Sequence, residues 1–167
     1  MSRLNAIGID IKKDDPKIKK LLHEVKDREF IGYSYDGADA SFELLARRLM
    51  GDIPRYISIN EYDVSVKKDS TGEVISFAKA KLEVDGHEIL CEGEGNGPVN
   101  ALDNAIRKNV NKLEKYSEYL KDLKLVDYKV RILNTGTGAV TRVSIESADS
   151  KHGNWFTIGV SPNIIDA

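Results

Sequence analysis

Residues that build covalent or metal-bound scaffolds are scarce in this 167-residue chain. Its one cysteine, Cys91, excludes an internal disulfide and a cysteine-rich zinc site. A lone thiol fits a reducing compartment, where its plain reading is a small hydrophobe. The three histidines, His23, His87 and His152, show no i+2, i+3 or i+4 pairing, so no metal motif is visible. No apolar run approaches the roughly 18 residues of a membrane span. The N-terminal stretch lacks the apolar segment of a secretory signal. The expected address is therefore cytoplasmic, with no membrane partner. An excess of one charge is also lacking: 25 basic against 27 acidic residues leave −2. That argues against nucleic acid as a partner, which would need a basic surplus or patch.

Catalytic signatures are missing as well. There is no G-x-S-x-G and no Cys/His pairing signal. The segment Gly93-Glu94-Gly95-Asn96-Gly97-Pro98 has the glycines of a phosphate loop but no Lys-[Ser/Thr] after them. Asn100 stands where G-x-G-x-x-G needs its third glycine, so a nucleotide site is not supported. The pairs Asp14/Asp15 and Asp36/Asp39 read as helix caps rather than as an acid/base dyad.

What is present describes a globular chain, 41% hydrophobic and 31% charged. Its length suits one compact domain, or one with a short appendage. Asp14 or Asp15 followed by Pro16 opens a helix whose stripe is Ile18, Leu21, Leu22 and Val25. Charged residues surround that stripe, which reads as a connecting helix lying on something else. After a break at Gly32–Gly37, a second helix runs from Ala38 to about Met50, with Phe42, Leu45 and Leu49 on one face and Gly51 ending it. Three strand-like segments follow. In the first, Ile57 and Ile59 share one face and Tyr62, Val64 and Val66 share the next; the phase flips at Glu61, which predicts a bulge. The turn at Asp69–Gly72 and the pair Asp85-Gly86 join the three into an antiparallel meander. A helix then starts near Pro98, with Val99, Leu102, Ile106, Val110 and Leu113 on one face. A connection over Tyr116–Lys124 leads to three more strands, in Val126–Leu133, Ala139–Ser147 and Asn154–Val160.

That order is an internal repeat. The third strand of each half ends in G-x-[GS]-P: Gly95-Asn96-Gly97-Pro98 and Gly159-Val160-Ser161-Pro162. The expected fold class is α+β: two β-β-β-α units related by an internal pseudo-repeat, the second with its helix cut short, preceded by a helical linker. The linker covers 1–30 and the remainder 31–167, in units of about 31–121 and 122–167. A three-stranded layer without its helix leaves one sheet face uncovered, which a missing helix or a partner subunit must cover. The strand–glycine–helix junction has two readings. Gly95 and Gly97 let backbone approach a ligand or another chain, and the N–H groups at the helix start favour a carboxylate; or the glycines only make a tight turn.

The chain resembles the C-terminal regulatory domain of the α-isopropylmalate synthase and citramalate synthase family. The resemblance is carried, in order, by Tyr35-Asp36-Gly37-Ala38-Asp39-Ala40-Ser41-Phe42-Glu43, by Gly95-Asn96-Gly97-Pro98-Val99-Asn100-Ala101-Leu102, by Asp127-Tyr128-Lys129-Val130-Arg131-Ile132, by Thr141-Arg142-Val143, and by Gly159-Val160-Ser161-Pro162-Asn163-Ile164-Ile165. The first and third segments look closer to the citramalate synthase branch. The resemblance implies a homodimeric domain of paired β-β-β-α units that binds the pathway end-product, isoleucine or leucine, as feedback inhibitor. It implies a separate catalytic barrel that condenses acetyl-CoA with a 2-oxo acid using a divalent metal. This chain has no His-x-His pair and is too short for such a barrel plus this domain. It is therefore expected to be catalytically silent and to hold neither acetyl-CoA nor metal itself. A branched-chain amino acid needs a carboxylate cradle, an ammonium acceptor and an apolar pocket. The backbone near Asn96 and Gly97 and the helix start after Pro98 are candidates for the first, and Asp36, through its matching segment, for the second. Tyr35, Ile59, Tyr62, Val64, Val66 and Val99 are candidates for the third, with Asn100 at its edge. For the aliphatic strand residues, plain core packing is the competing reading.

Overall fold

The computed structural model describes residues 2–136 and 138–167. In chain order the elements are α1 (Ser2–Ala6), α2 (Pro16–Phe30), α3 (Asp39–Met50), β1 (Ile57–Lys68), β2 (Val74–Val84), β3 (His87–Gly95), α4 (Pro98–Val110), α5 (Glu114–Leu120), β4 (Lys124–Ile132), β5 (Thr141–Asp149) and β6 (Gly153–Ser161). They form two three-stranded antiparallel sheets, ordered β1-β2-β3 and β4-β5-β6. The α+β class and the repeated β-β-β order are as the sequence predicts. The chain divides into two compact units. One comprises the chain up to Pro54 together with Leu123–Ala167; the other is Arg55–Asp122.

In the first unit, Asp15 caps α2 by accepting a hydrogen bond from the Lys17 N–H at 2.8 Å, with Pro16 in the first turn. Leu21 is buried and Ile18 and Val25 pack beside it, against Leu4, Ile9, Tyr35, Phe42, Leu45, Ala46 and Met50. The helix read as a connector thus shares a hydrophobic cluster with α1 and α3, and only Leu22 of its predicted stripe stays out, 56% exposed. Long cations tie the helices to carbonyls: Arg3 to Tyr35, Arg47 to Ile7 and Lys17 to Met50, each at 2.8–2.9 Å. Gly51 closes α3, with the Asp52 N–H reaching back to the Arg47 carbonyl at 2.9 Å. The Ser41 hydroxyl of α3 accepts from the Ile158 N–H of β6 at 2.9 Å, satisfying a donor on an edge strand. After Pro162 the chain makes one turn, with Ser161 Oγ accepting from Asn163 N–H and the Ala167 N–H reaching the Asn163 carbonyl.

In the second unit, β2 alternates as a half-buried strand should: Ser76, Ala78, Ala80, Leu82 and Val84 are buried beneath α4. The pairing of β1 with β2 shifts register between Ile59 and Glu61, which places the predicted bulge at Asn60. The β2–β3 turn puts Asp85 and Gly86 at φ +50° and +80°, the left-handed pair that a two-residue hairpin of this twist requires. The other sheet repeats the first bulge: β4 shifts register between Leu125 and Asp127. Asn60-Glu61-Tyr62-Asp63-Val64-Ser65-Val66 and Val126-Asp127-Tyr128-Lys129-Val130-Arg131-Ile132 are therefore equivalent, an acidic-Tyr-x-Val-x-aliphatic stretch behind one unpaired residue.

Two sequence expectations need correction. The connection expected over Tyr116–Lys124 is not plain: its first part, to Leu120, belongs to the short helix α5, which starts at Glu114. There Lys115 Nζ and Tyr116 Oη donate to the Asp85 carboxylate at 2.8 and 2.9 Å. The Lys115 bond first, then that of Tyr116, holds the Asp85 carboxyl below the ordinary carboxylate range. The expected face of α4 is also rotated and shorter. The helix ends at Val110, and its buried residues are Ala101, Leu102, Ala105 and Val110. The cause is the floor beneath it. A Cβ added at Gly93 would stand 2.5 Å from the Ala105 backbone nitrogen, and one at Gly95 2.5 Å from that of Ala101. Glycine below and alanine above let the helix backbone rest directly on β3.

Gly93→Ala is therefore expected to lower unfolding free energy by about 1–3 kcal/mol through overpacking, measured by urea denaturation. Gly97→Ser, whose Cβ meets nothing within 4 Å, should show no such loss. Cys91 faces α4 and is buried, and burial pushes its thiol pKa up. Since the thiolate is the nucleophile, iodoacetamide is expected to modify Cys91 slowly in the native chain and rapidly in urea. Equal rates would show that α4 does not stay on the sheet.

Candidate functional site

The strand–glycine–helix junction of the second unit is held by asparagines. The Asn96 N–H donates to Asn100 Oδ1 at 3.1 Å, and Asn104 Nδ2 donates to the Glu94 carbonyl at 2.9 Å. Gly97 is the residue before α4, with extended backbone and no side chain to cap it. Pro98 lacks an N–H, so Val99 and Asn100 supply the first N–H groups of the helix, which geometry leaves without an intrahelical partner. Of the predicted cradle, the Asn96 N–H is thus already engaged internally, while the start of α4 keeps its positive end uncapped. Asn104 was not among the residues predicted from sequence. Its only signal is its place one turn after Asn100, on the same helix face.

The β1 candidates lie on the sheet face that α4 occupies. The helix sits over β2 and β3 and barely reaches β1. Val64 is half-buried, whereas Ile59, Tyr62 and Val66 remain 49%, 37% and 56% exposed. Core packing inside this unit therefore accounts for Val64 better than for the other three. Val99 is half-buried at the start of α4. Together these residues make an apolar strip along an edge strand, beside the uncapped helix start.

Tyr35 and Asp36 belong to the first unit. The Tyr35 ring is buried, edge-on to Phe42 with centroids 6.2 Å apart and stacked on Tyr33 at 6.0 Å. Burial pushes its hydroxyl pKa up, with Arg28 opposing, so the phenol stays neutral. Core packing accounts for its side chain. Asp36 differs in kind: it is exposed, and among the described residues its carboxylate makes no hydrogen bond or ion pair. The expectation that Asp36 or Asp39 caps α3 is not met. The cap position is Ala38, with no side-chain bond, and Asp39 lies within the first turn, paired with Arg3 at 2.8 Å. Gly37, at φ +76°, turns the chain away between Asp36 and the helix.

Among the described residues, no group of three His, Cys, Asp or Glu side chains is placed to hold a metal ion. No helix is long and apolar enough to cross a membrane. The scaffold is α+β, with two equivalent three-stranded sheets; the second unit carries an uncapped helix start and an exposed apolar strip, and the first an unengaged carboxylate. Residues 36–167 match the family described as the LeuA allosteric (dimerisation) domain, and the chain belongs to that family. Over 168 residues it is 42% identical to the (R)-citramalate synthase of Aquifex aeolicus, covering 99% of this chain and 31% of that protein. Over 170 residues it is 41% identical to the (R)-citramalate synthase of Geobacter sulfurreducens, covering 100% and 31%. The enzyme of the same name from Streptomyces coelicolor is 42% identical over 164 residues, covering 96% and 30%. The chain thus spans under a third of the length of these relatives.

Proposed function

We propose that this chain is the feedback-regulatory and dimerising part of a citramalate synthase, an acyltransferase of branched-chain amino-acid biosynthesis, and that its effector is isoleucine. The observation that carries this reading is the likeness to citramalate synthases along practically the whole chain. In this reading acetyl-CoA and the divalent metal bind on a catalytic barrel outside these residues. The chain itself contributes recognition, not chemistry. Each unit offers its own candidates. In the first, Asp36 is the candidate for an ammonium, since an exposed carboxylate with no partner costs little desolvation to recruit. In the second, the start of α4 is the candidate for a carboxylate through its unpaired N–H groups, and Ile59, Tyr62 and Val66 offer apolar surface to an aliphatic side chain. The alternative effector, leucine, differs only in the position of one methyl group, and the titration below separates the two.

The binding test is calorimetry with isoleucine, leucine and valine. Isoleucine is expected to bind most tightly. Asp36→Ala should weaken that binding about ten- to a hundredfold, the cost of a charge-assisted contact of roughly 1.5–3 kcal/mol. The melting temperature should stay unchanged, because Asp36 caps no helix. Absence of heat with all three amino acids would leave a dimerisation module that binds no effector. Tightest binding of leucine would place the chain with the isopropylmalate synthases.

Dimerisation is expected because Val130 and Ile132 of β4 stay exposed on a sheet face. Sedimentation equilibrium at micromolar concentration should give twice the chain mass of 18.6 kDa. A monomer at those concentrations would count against the reading.

A further inference from the structure

The sheet of the first unit sets two arginines directly opposite each other. The β4–β5 register pairs Arg131 with Arg142, and Lys129 with Ser144. Residues two apart share a face of a strand, so these four form one block on one face of the sheet. They line a common groove. Like charges directly across a sheet destabilise it, unless something between them carries the opposite charge. Lys129 has its own partner, with Nζ 2.7 Å from Asp127 Oδ2. Arg142 donates Nε to the Gly32 carbonyl at 2.6 Å, which fixes the plane of its guanidinium but leaves its charge uncompensated. Arg131 makes no hydrogen bond or ion pair among the described residues. The acids of this face, Asp127 and Glu146, pair with each other one step beyond the Lys129–Ser144 pair. They are engaged by Lys129 and, on Glu146, by the Asn154 amide. Two positive charges therefore face each other with no acid between them.

We propose that the Arg131–Arg142 groove is a binding site for a phosphate group, as inorganic phosphate or as the phosphate of a monoester. The charge matches: a phosphate monoester carries about −1.5 to −2 at neutral pH, against two uncompensated guanidinium charges. The donors match as well. Two planar forks from opposite strands, with the Ser144 hydroxyl beside them, exceed what the two oxygens of one carboxylate can accept. They suit the three terminal oxygens of a phosphate. This inference is independent of the effector reading above, and its residues are not among those offered for isoleucine.

The experiment titrates the chain with inorganic phosphate, glycerol 3-phosphate and succinate at constant ionic strength, following backbone amide shifts and melting temperature. Saturable shifts at Arg131, Arg142 and Ser144 are expected, with a dissociation constant of ~1 mM or tighter. Succinate should bind at least about tenfold more weakly. If glycerol 3-phosphate binds and inorganic phosphate does not, the site takes an ester; if both bind equally, the phosphate group suffices. Arg131→Gln should melt no lower than the unsubstituted chain in chloride buffer, because a like-charge contact is relieved, yet lose the stabilisation by phosphate. Ser144→Ala should weaken binding without abolishing it. Shifts that do not saturate, equal binding by Arg131→Gln, or succinate binding as tightly as phosphate would each overturn the proposal.

Discussion

In the second unit, everything rests on how closely α4 approaches β3. The glycines at 93 and 95 leave no side chain between sheet and helix, and Ala101 and Ala105 complete the contact from above. Such a contact has little tolerance, because dispersion energy falls steeply with a gap of even half an ångström. It also fixes the start of α4. With the helix axis pinned over β2 and β3, Pro98 and Gly97 must sit where the strand ends, and no side chain caps the first-turn N–H groups. The same placement leaves β1 without a helix above it. Ile59, Tyr62 and Val66 are exposed for that reason, not because the sequence lacks apolar residues to cover them. One steric feature thus creates both the uncapped helix end and the apolar strip beside it.

The first unit is organised differently. Its helices share a modest aliphatic and aromatic cluster, supplemented by cations that reach backbone carbonyls at their neighbours' ends. Two of those bonds, on Ile7 and Met50, satisfy acceptors that helix C-termini leave open, and the third is on Tyr35 in the turn before α3. They also leave the Tyr35–Gly37 turn well defined: Tyr35 is anchored by its ring and by Arg3 on its carbonyl, and Gly37 reverses the chain. Asp36, between them, is held in place by its neighbours while its own carboxylate stays unengaged.

The pseudo-repeat connects the two units through a shared defect. In each sheet, the first strand carries one unpaired residue immediately before an acidic-Tyr pair, Asn60 in one and Val126 in the other. The bulge switches which side chains face inward, so Tyr62 and Tyr128 take equivalent positions. The sheets then diverge by their contents. The face of β1-β2-β3 opposite α4 balances its charge with Lys79–Glu92 and Lys81–Glu61 pairs, whereas the equivalent face of β4-β5-β6 opposes Arg131 to Arg142. Equivalent scaffolds thereby present different chemistry.

Much of this was legible in the chain itself, because it rests on interactions among near neighbours. Asp15-Pro16 starts a helix, Gly51 ends one, Asp85-Gly86 makes a hairpin, and the change of phase at Glu61 marks a bulge; each depends on backbone preferences within a few residues. The repeat was legible too, since G-x-[GS]-P recurs after each set of strands. What the sequence could not decide depends on residues far apart along it. Gly93 becomes critical only because Ala105 lies over it, and Asp36 is a free carboxylate only because Ala38 takes the cap position and Arg3 pairs with Asp39 instead. The opposition of Arg131 and Arg142 follows from a strand register locked by the Leu133 N–H on the Val140 carbonyl and by Asn134 on the Val140 N–H. A shift of one residue there would turn those side chains to the other face. Local conformational preference determined the elements; steric fit and register between distant segments determined which of their side chains meet, which are covered, and which are left available to bind.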